Sequence, residues 1–508
     1  VFGHSGYRQE FGLNARYGIT QNVLLDATIN PDFSQIESDA DQITANERFA
    51  ISYPEKRPFF LEGADLFQTP HRLVYTRSIV EPAAGAKLTG KLGAFKAGYL
   101  GAYDDSPRGA PDNAKAFINL LRLRRDLGNA STIGLLYTDR TLGRNQGFNR
   151  VASVDARLVL AQRYTLNAQF AESWTRTDAG TTNAPLWSAA LLRSGRTFGF
   201  HTVLEGIDRD FQAQSGFIQR RGDARAFLQA RTTYFNQPQS WIQKYEIAAQ
   251  AEGFFNEDRI WSMNRPREGE IELHPGIYFR NNSNLRAILR IGYFEFDETD
   301  FADWQRTLPD GTPAGYTPPL ELRNLLGLAL LPSLRPTQRV QIGGRMYLRE
   351  VPIYAEASRG LEVQLAPELR LWPSDGLTVE LHYAYSRLRR TNNDSRFSSQ
   401  DITRFKAQYQ FSKALMARFF VQYNLNERDA IRDAVDGRPV IIDGAVSSSE
   451  RRTDFGGNVL LQYEPSPGTI FYLGYTRQLQ GFERTYDYSR LDPVSDGVFL
   501  KFSYLYRL

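Results

Sequence analysis

Apolar and polar residues alternate along most of this chain, and the alternation is longest from residue 361. Leu361, Val363, Leu365, Leu369 and Leu371 share one parity, while Glu362, Gln364, Glu368 and Arg370 share the other. Successive side chains of a strand point to opposite faces, so the run predicts a strand with one apolar and one polar side. The turn Pro373-Ser374-Asp375-Gly376 follows. Leu377, Val379, Leu381, Tyr383 and Tyr385 then alternate with Thr378, Glu380, His382 and Ser386, which completes a hairpin. Phe405, Ala407, Tyr409 and Phe411 oppose Arg404 and Lys406, and Leu285, Ala287, Leu289 and Ile291 oppose Arg286 and Arg290. The last run sets Val498, Leu500, Phe502, Tyr504, Tyr506 and Leu508 against Lys501, Ser503 and Arg507. Counted along the chain, such segments predict about 22 to 24 strands of about 9 to 14 residues, long enough to cross a bilayer at a tilt.

The connections between strands alternate too. Short turns near 125–129, 236–240, 280–284 and 464–468 are followed by long polar loops near 103–113, 297–321, 427–450 and 480–495. One short end and one long end predict an all-β fold, a large antiparallel transmembrane β-barrel of the outer membrane of a Gram-negative bacterium. Tyr383, Tyr385, Trp241, Tyr472 and Tyr475 lie near strand ends, where an interfacial aromatic girdle belongs. The expected partner is the lipid bilayer. A soluble propeller would repeat every ~40–50 residues, and no such repeat occurs.

Composition narrows the classes further. Among 508 residues, 61 Lys+Arg against 57 Asp+Glu leave a net charge of +4, too even a balance for a nucleic-acid binder. Cysteine is absent, which removes disulfides, thiolate metal sites and a thiol nucleophile together. The most apolar run, Leu325 to Leu331, is stopped by Pro332, short of the ~18 residues a membrane helix needs. Val1-Phe2-Gly3-His4 has no basic start and no apolar core, so the chain reads as processed or partial.

Residues 30–82 break the alternation, dividing the chain into first barrel strands (1–29), an irregular segment (30–82) and the rest of the barrel (83–508). The segment opens on Asn30, Pro31, Asp32 and Phe33, continues through Glu37 and Asp39 with a short helix expected near 38–50, and reaches Glu55-Lys56-Arg57-Pro58-Phe59-Phe60-Leu61-Glu62-Gly63. Its prolines exclude a central strand, and so long a partly apolar stretch does not stay free in water. A plug or constriction folded against the wall is expected, with Arg57 pairing a wall carboxylate.

Asn30 to Asp39, Glu55 to Gly63, Leu73-Val74-Tyr75-Thr76-Arg77 and Gly85-Ala86-Lys87-Leu88-Thr89-Gly90 together resemble the DUF5916 family of Gram-negative bacteria. The resemblance implies an outer-membrane barrel preceded by a domain similar to family-nine carbohydrate-binding modules. That domain is not expected before Val1, so glycan binding is only weakly implied for these residues. The likeness is concentrated over about residues 10–100, and it supplies no reaction.

Candidate chemistry is sparse. Asp32, Glu37, Asp39 and Asp41 could surround a calcium ion, but the EF-hand glycine is missing and helix capping explains them better. Gly85 to Lys91 imitates a phosphate loop, yet Leu92 replaces the required hydroxyl and the run alternates as a strand. His382 shares its face with Glu380 and Ser386, a hydrolase-like set, but the strand rise puts them ~7 and ~13 Å away. No enzymatic activity and no cofactor are expected. Arg286, Arg290, Arg370, Arg404, Lys406, Lys501 and Arg507 instead share the polar side with Glu362, Glu368 and Glu380, as a hydrated lumen crossed by ion pairs requires. The reading is a gated or plugged channel for polar solutes. Its alternatives are a docking platform for periplasmic or surface proteins and a barrel-wall hydrolase at His382.

Overall fold

The computed structural model describes residues 12–30, 42–44, 46–109, 114–128, 130–143, 146–256, 265–308, 310–434, 436–466, 469–483 and 491–504. Its strands are β1 (Leu13–Thr20), β2 (Val23–Ile29), β3 (Pro82–Leu92), β4 (Phe95–Asp104), β5 (Ala116–Leu127), β6 (Ser131–Leu142), β7 (Phe148–Leu160), β8 (Tyr164–Thr177) and β9 (Gly180–Arg193). There follow β10 (Phe198–Ile207), β11 (Asp223–Phe235), β12 (Ile242–Asn256), β13 (Glu268–Phe279), β14 (Asn284–Glu295), β15 (Gln305–Thr307), β16 (Pro313–Gly315), β17 (Glu321–Thr337) and β18 (Val340–Ile353). The chain closes with β19 (Ser358–Ser374), β20 (Leu377–Arg390), β21 (Arg396–Gln410), β22 (Leu415–Arg428), β23 (Val440–Ile442), β24 (Ala445–Val446), β25 (Glu450–Ser466), β26 (Thr469–Glu483) and β27 (Asp492–Ser503).

All but β15, β16, β23 and β24 form one 23-stranded sheet, each strand pairing antiparallel with the next in the chain. The predicted hairpin is β19–β20, with Ser374 opposite Leu377 at the turn. The alternation sorts as expected. Leu121, Leu135, Phe170, Leu228, Ile271, Leu326, Leu348, Leu365, Phe419, Leu473 and Leu500 lie exposed on the outer face. Inner positions hold small and polar residues such as Ser153, Gln169, Thr233, Glu362, Ser386 and Gln400. Tyr472 departs from the girdle reading: it pairs with Lys501 on the inner face while Phe471, Leu473 and Tyr475 point out.

The loop ends are more ordered than their polarity suggests. Residues 297–321 and 427–450, expected as open loops, contribute β15, β16, β23 and β24 to a small four-stranded sheet. Beneath it Phe294, Phe296, Phe301, Tyr316, Leu325 and Val440 form a buried cluster. Aromatics interspersed among the charges hold this cap in place, a pattern with no fixed period to reveal it. Arg390 ties the neighbouring loops together, donating to Glu356, to the Asp429 carboxylate at 3.0 Å and to the Ala430 carbonyl at 2.8 Å.

Candidate functional site

The chain between β2 and β3 leaves and re-enters the wall at the long-loop end, and the wall curls around it. Its described residues touch wall strands far apart in sequence. Glu62 meets Arg16 on β1, Lys87 on β3 donates to the Phe59 and Glu62 carbonyls at 2.6 and 2.7 Å, and Arg122 on β5 reaches the Leu66 carbonyl. The His71 amide donates to Gln169 on β8, Arg48 pairs with Glu268 on β13, Asn46 donates to the Pro352 carbonyl on β18, and the Thr44 amide donates to Gln400 on β21. A segment that short contacts strands from β1 to β21 only if it lies inside the curve.

Two different materials hold it. The part from 58 to 79 is an apolar anchor. Pro58 opens α1 (Pro58–Leu61), where its fixed φ and missing N–H cost nothing. Gly63, at φ 67°, then turns the chain into a 3-10 turn over Ala64–Phe67. Phe60, Leu66, Phe67 and Ile79 bury against Leu100, Ile118 and Leu120, and Leu73 buries with Leu136, Val151, Leu186 and Phe211. Phe59 meets Phe60 edge-on at 5.0 Å. A second inward stretch, 208–222, packs on this anchor, with Tyr75 donating to the Ser215 carbonyl at 2.8 Å and Phe217 to that of Arg72 at 2.8 Å. The sequence reading missed it, although the alternation lapses there too.

The part before Pro58 is a strap held by polar contacts. The guanidinium of Arg48 pairs with Glu268 and lies 5.0, 5.4 and 5.8 Å from the ring centres of Phe49, Phe294 and Tyr354. Arg220 shares Glu268 at 2.7 Å. Burial pushes the Glu47 carboxyl above its ordinary pKa, Arg349 partly offsetting this and Glu362 adding to it. Gln42 to Phe49, where a helix was expected, is non-helical in its described residues. Its polar side chains reach outward to the wall instead of capping a turn.

Arg57 is held mainly within its own segment. It pairs with Glu55 of its own segment at 2.7 Å and donates to the Thr76 and Ile79 carbonyls, both at 2.7 Å. Burial would raise the Glu55 pKa, but donation from Arg57 and Thr76 overcomes it and holds the carboxyl below its ordinary value. Wall cations Lys87 and Arg122 donate to the segment's carbonyls, while the segment's Arg48 pairs with the wall carboxylate of Glu268. Asn30 ends β2, its amide bound to the Ala83 carbonyl. Pro31, Asp32, Phe33, Glu37, Asp39 and Asp41 lie outside the described residues, as do Tyr506, Arg507 and Leu508.

From β11 onward the inner wall is charged. Arg290 binds Glu270 at 2.8 Å, Arg349 binds Glu362 at 2.6 Å, Arg370 binds Glu380 at 2.9 Å and Lys244 binds Glu246 at 2.9 Å. His382 sits 3.8 Å from Glu368 and opposite Arg404. Ser386 donates to Glu362 at 3.1 Å and Glu380 is held by Arg370, so the hydrolase-like set of His382 is not assembled. Gly85 to Lys91 is ordinary strand, with Phe59 against Gly85. No group of three or more metal-ligating side chains occurs among the described residues.

An antiparallel meander with an outer apolar face, an inner charged face and a segment folded into its lumen defines a large β-barrel. Within that class, residues 3–90 match the family described as Domain of unknown function (DUF5916). The match spans β1, β2, the inserted segment and most of β3, where the sequence resemblance was concentrated. No curated protein matches the chain. Among solved structures, in-vitro folded OmpT, an outer membrane protein of Vibrio cholerae, is similar in its trimer form at 12% identity, covering 69% of this chain and 99% of that one with a TM-score of 0.30. A second OmpT structure gives 12%, 70%, 98% and 0.30. Overlap of this size carries over no pore, assembly or solute.

Proposed function

We propose that the chain is an outer-membrane channel for polar solutes whose lumen is gated by the strap before Pro58. The observation that carries this reading is the unequal seating of the inserted segment. Its anchor is sealed to β4–β9 by apolar side chains, whereas the strap meets β13, β18 and β21 through hydrogen bonds and an ion pair that water can replace. The exposed Leu, Ile and aromatic rows of the outer face support a bilayer location, because an apolar surface of this extent is not left in water. The charged inner face supports a wet path beside the anchor.

The test uses the absence of native cysteine. Thr44→Cys with Gln400→Cys, joined by a short thiol cross-linker, should lock the strap and lower the conductance of planar bilayers. Cleaving the linker should restore it. Equal conductance in linked and cleaved protein would refute gating, and silence in both states would refute the channel.

A further inference from the structure

The two halves of the lumen differ in charge balance. Toward the long-loop end the inner carboxylates Glu252, Glu268 and Glu270 are each matched by an arginine: Arg225, Arg220 and Arg290. Toward the short-turn end cations predominate. Arg286 faces inward opposite Gly276 and Leu331, and Arg345 lies opposite Ala366. Arg404 and Lys406 occupy adjacent inward positions of β21, opposite His382 and Glu380. The carboxylates at this level include Glu246, Glu368 and Glu380, which face Lys244, His382 and Arg370, and Glu464, which lies near the inward Tyr472. The belt continues beneath the anchor, where a cavity of ≈ 560 Å³ is lined by Lys91, Lys96 and Arg124 together with Asp65, and Asp126 is shared by the two lysines at 3.7 and 3.6 Å. The chain as a whole is nearly balanced at +4, so this concentration of cations is local.

We infer that the belt selects anions, and that the solutes passed by the channel carry carboxylate or phosphate groups. The inference rests on the channel reading above. Cations facing a water-filled lumen raise the local concentration of counter-ions, and low-dielectric walls focus that field. Guanidinium groups at Arg286, Arg345 and Arg404 also offer paired N–H donors that match the oxygens of both anion classes. Lining by one sign of charge is the means by which wide pores choose between ions.

The experiment is the reversal potential of the intact chain in planar bilayers under a KCl gradient. Chloride should permeate better than potassium. Replacing Arg286, Arg345, Arg404 and Lys406 together by Gln should lower the chloride-to-potassium ratio about fivefold, as expected for several screened unit charges near the path, while conductance persists. Glu368→Gln with Glu380→Gln should raise the ratio. A cation-selective parent, or a fourfold variant with unchanged selectivity, overturns the inference while leaving the channel standing. Silent bilayers overturn the channel itself. In that case titration of citrate and inorganic phosphate into the detergent-solubilised protein decides the belt alone: binding lost in the fourfold variant upholds it, and no binding by the parent removes it. Retained strand content by circular dichroism confirms that the variant folds.

Discussion

Replacing Arg48 by Ala removes the strap's one ion pair to the wall among the described residues. Both partners are well shielded, the Arg48 side chain being 27% and that of Glu268 18% exposed, so the pair lies between a surface bridge and a buried one. That interaction is worth about 1 kcal/mol, and the three surrounding rings add about another 1 kcal/mol through cation–π attraction. Glu268 keeps Arg220, at 2.7 and 3.0 Å, so no buried charge is orphaned and the larger penalty for that is not incurred. A loss of about 2 kcal/mol shifts the docked-to-released equilibrium of the strap about thirtyfold. The assay is the rate at which a single thiol, placed by Thr44→Cys, reacts with a water-soluble maleimide in liposomes. Arg48→Ala should raise that rate by one to two orders of magnitude without moving the thermal unfolding of the barrel. An unchanged rate would refute the strap as the weakly held element, and a rate that rose only together with global unfolding would refute its independence from the anchor.

The anchor should respond in the opposite way. Leu73, fully buried among Leu136, Val151, Leu186 and Phe211, should cost about 2–5 kcal/mol when truncated to Ala, read as a lower unfolding temperature with little change in Thr44→Cys labelling. Arg390 is 2% exposed and its partner Glu356 1%, so Arg390→Ala should cost about 3–5 kcal/mol locally and expose residues 429–449 to protease, whereas a protease-resistant variant would show that the loops are held by the small sheet alone. For Glu47 the sign follows from its raised pKa in the docked strap: the docked state favours the protonated form, so docking strengthens as pH falls through that raised value and weakens as pH rises past it. Labelling of Thr44→Cys, normalised to a free thiol, should therefore slow on acidification, and Glu47→Gln should flatten that component of the profile.

Much of the wall was legible because its two faces have different chemistry at a period of two. Leu361 to Leu371 and Leu377 to Tyr385 declare both their strands and the turn between them, and the inner residues Glu362, Arg370 and Glu380 follow from parity alone. Parity says nothing about register, however. Only the sheet shows that Arg370 meets Glu380 and that His382 lies beside Glu368 instead of using Ser386. The inserted segment was legible as an interruption, through Pro54, Pro58 and the Phe59-Phe60-Leu61 cluster. Its contacts were not, because Arg57 pairs with Glu55 two residues away and donates to backbone carbonyls that any sequence could offer. Residues 208–222 and the cap over Val440 were hidden for a related reason. Their stability comes from single aromatic and aliphatic side chains spaced irregularly, which leaves no period to detect.

Both roots of the inserted segment, Ile29 and Pro82, stand on the same lip of the barrel. A tongue fixed in this way cannot be threaded out through the far opening; it can only lift back toward the lip from which it descends. Traction applied from the short-turn side would press the anchor deeper between β4 and β9, whereas a ligand that grips the strap from the long-loop side would work along the direction in which it yields. On the proposed gated-channel reading, the strap yields to a pull from the long-loop side and resists one from the short-turn side.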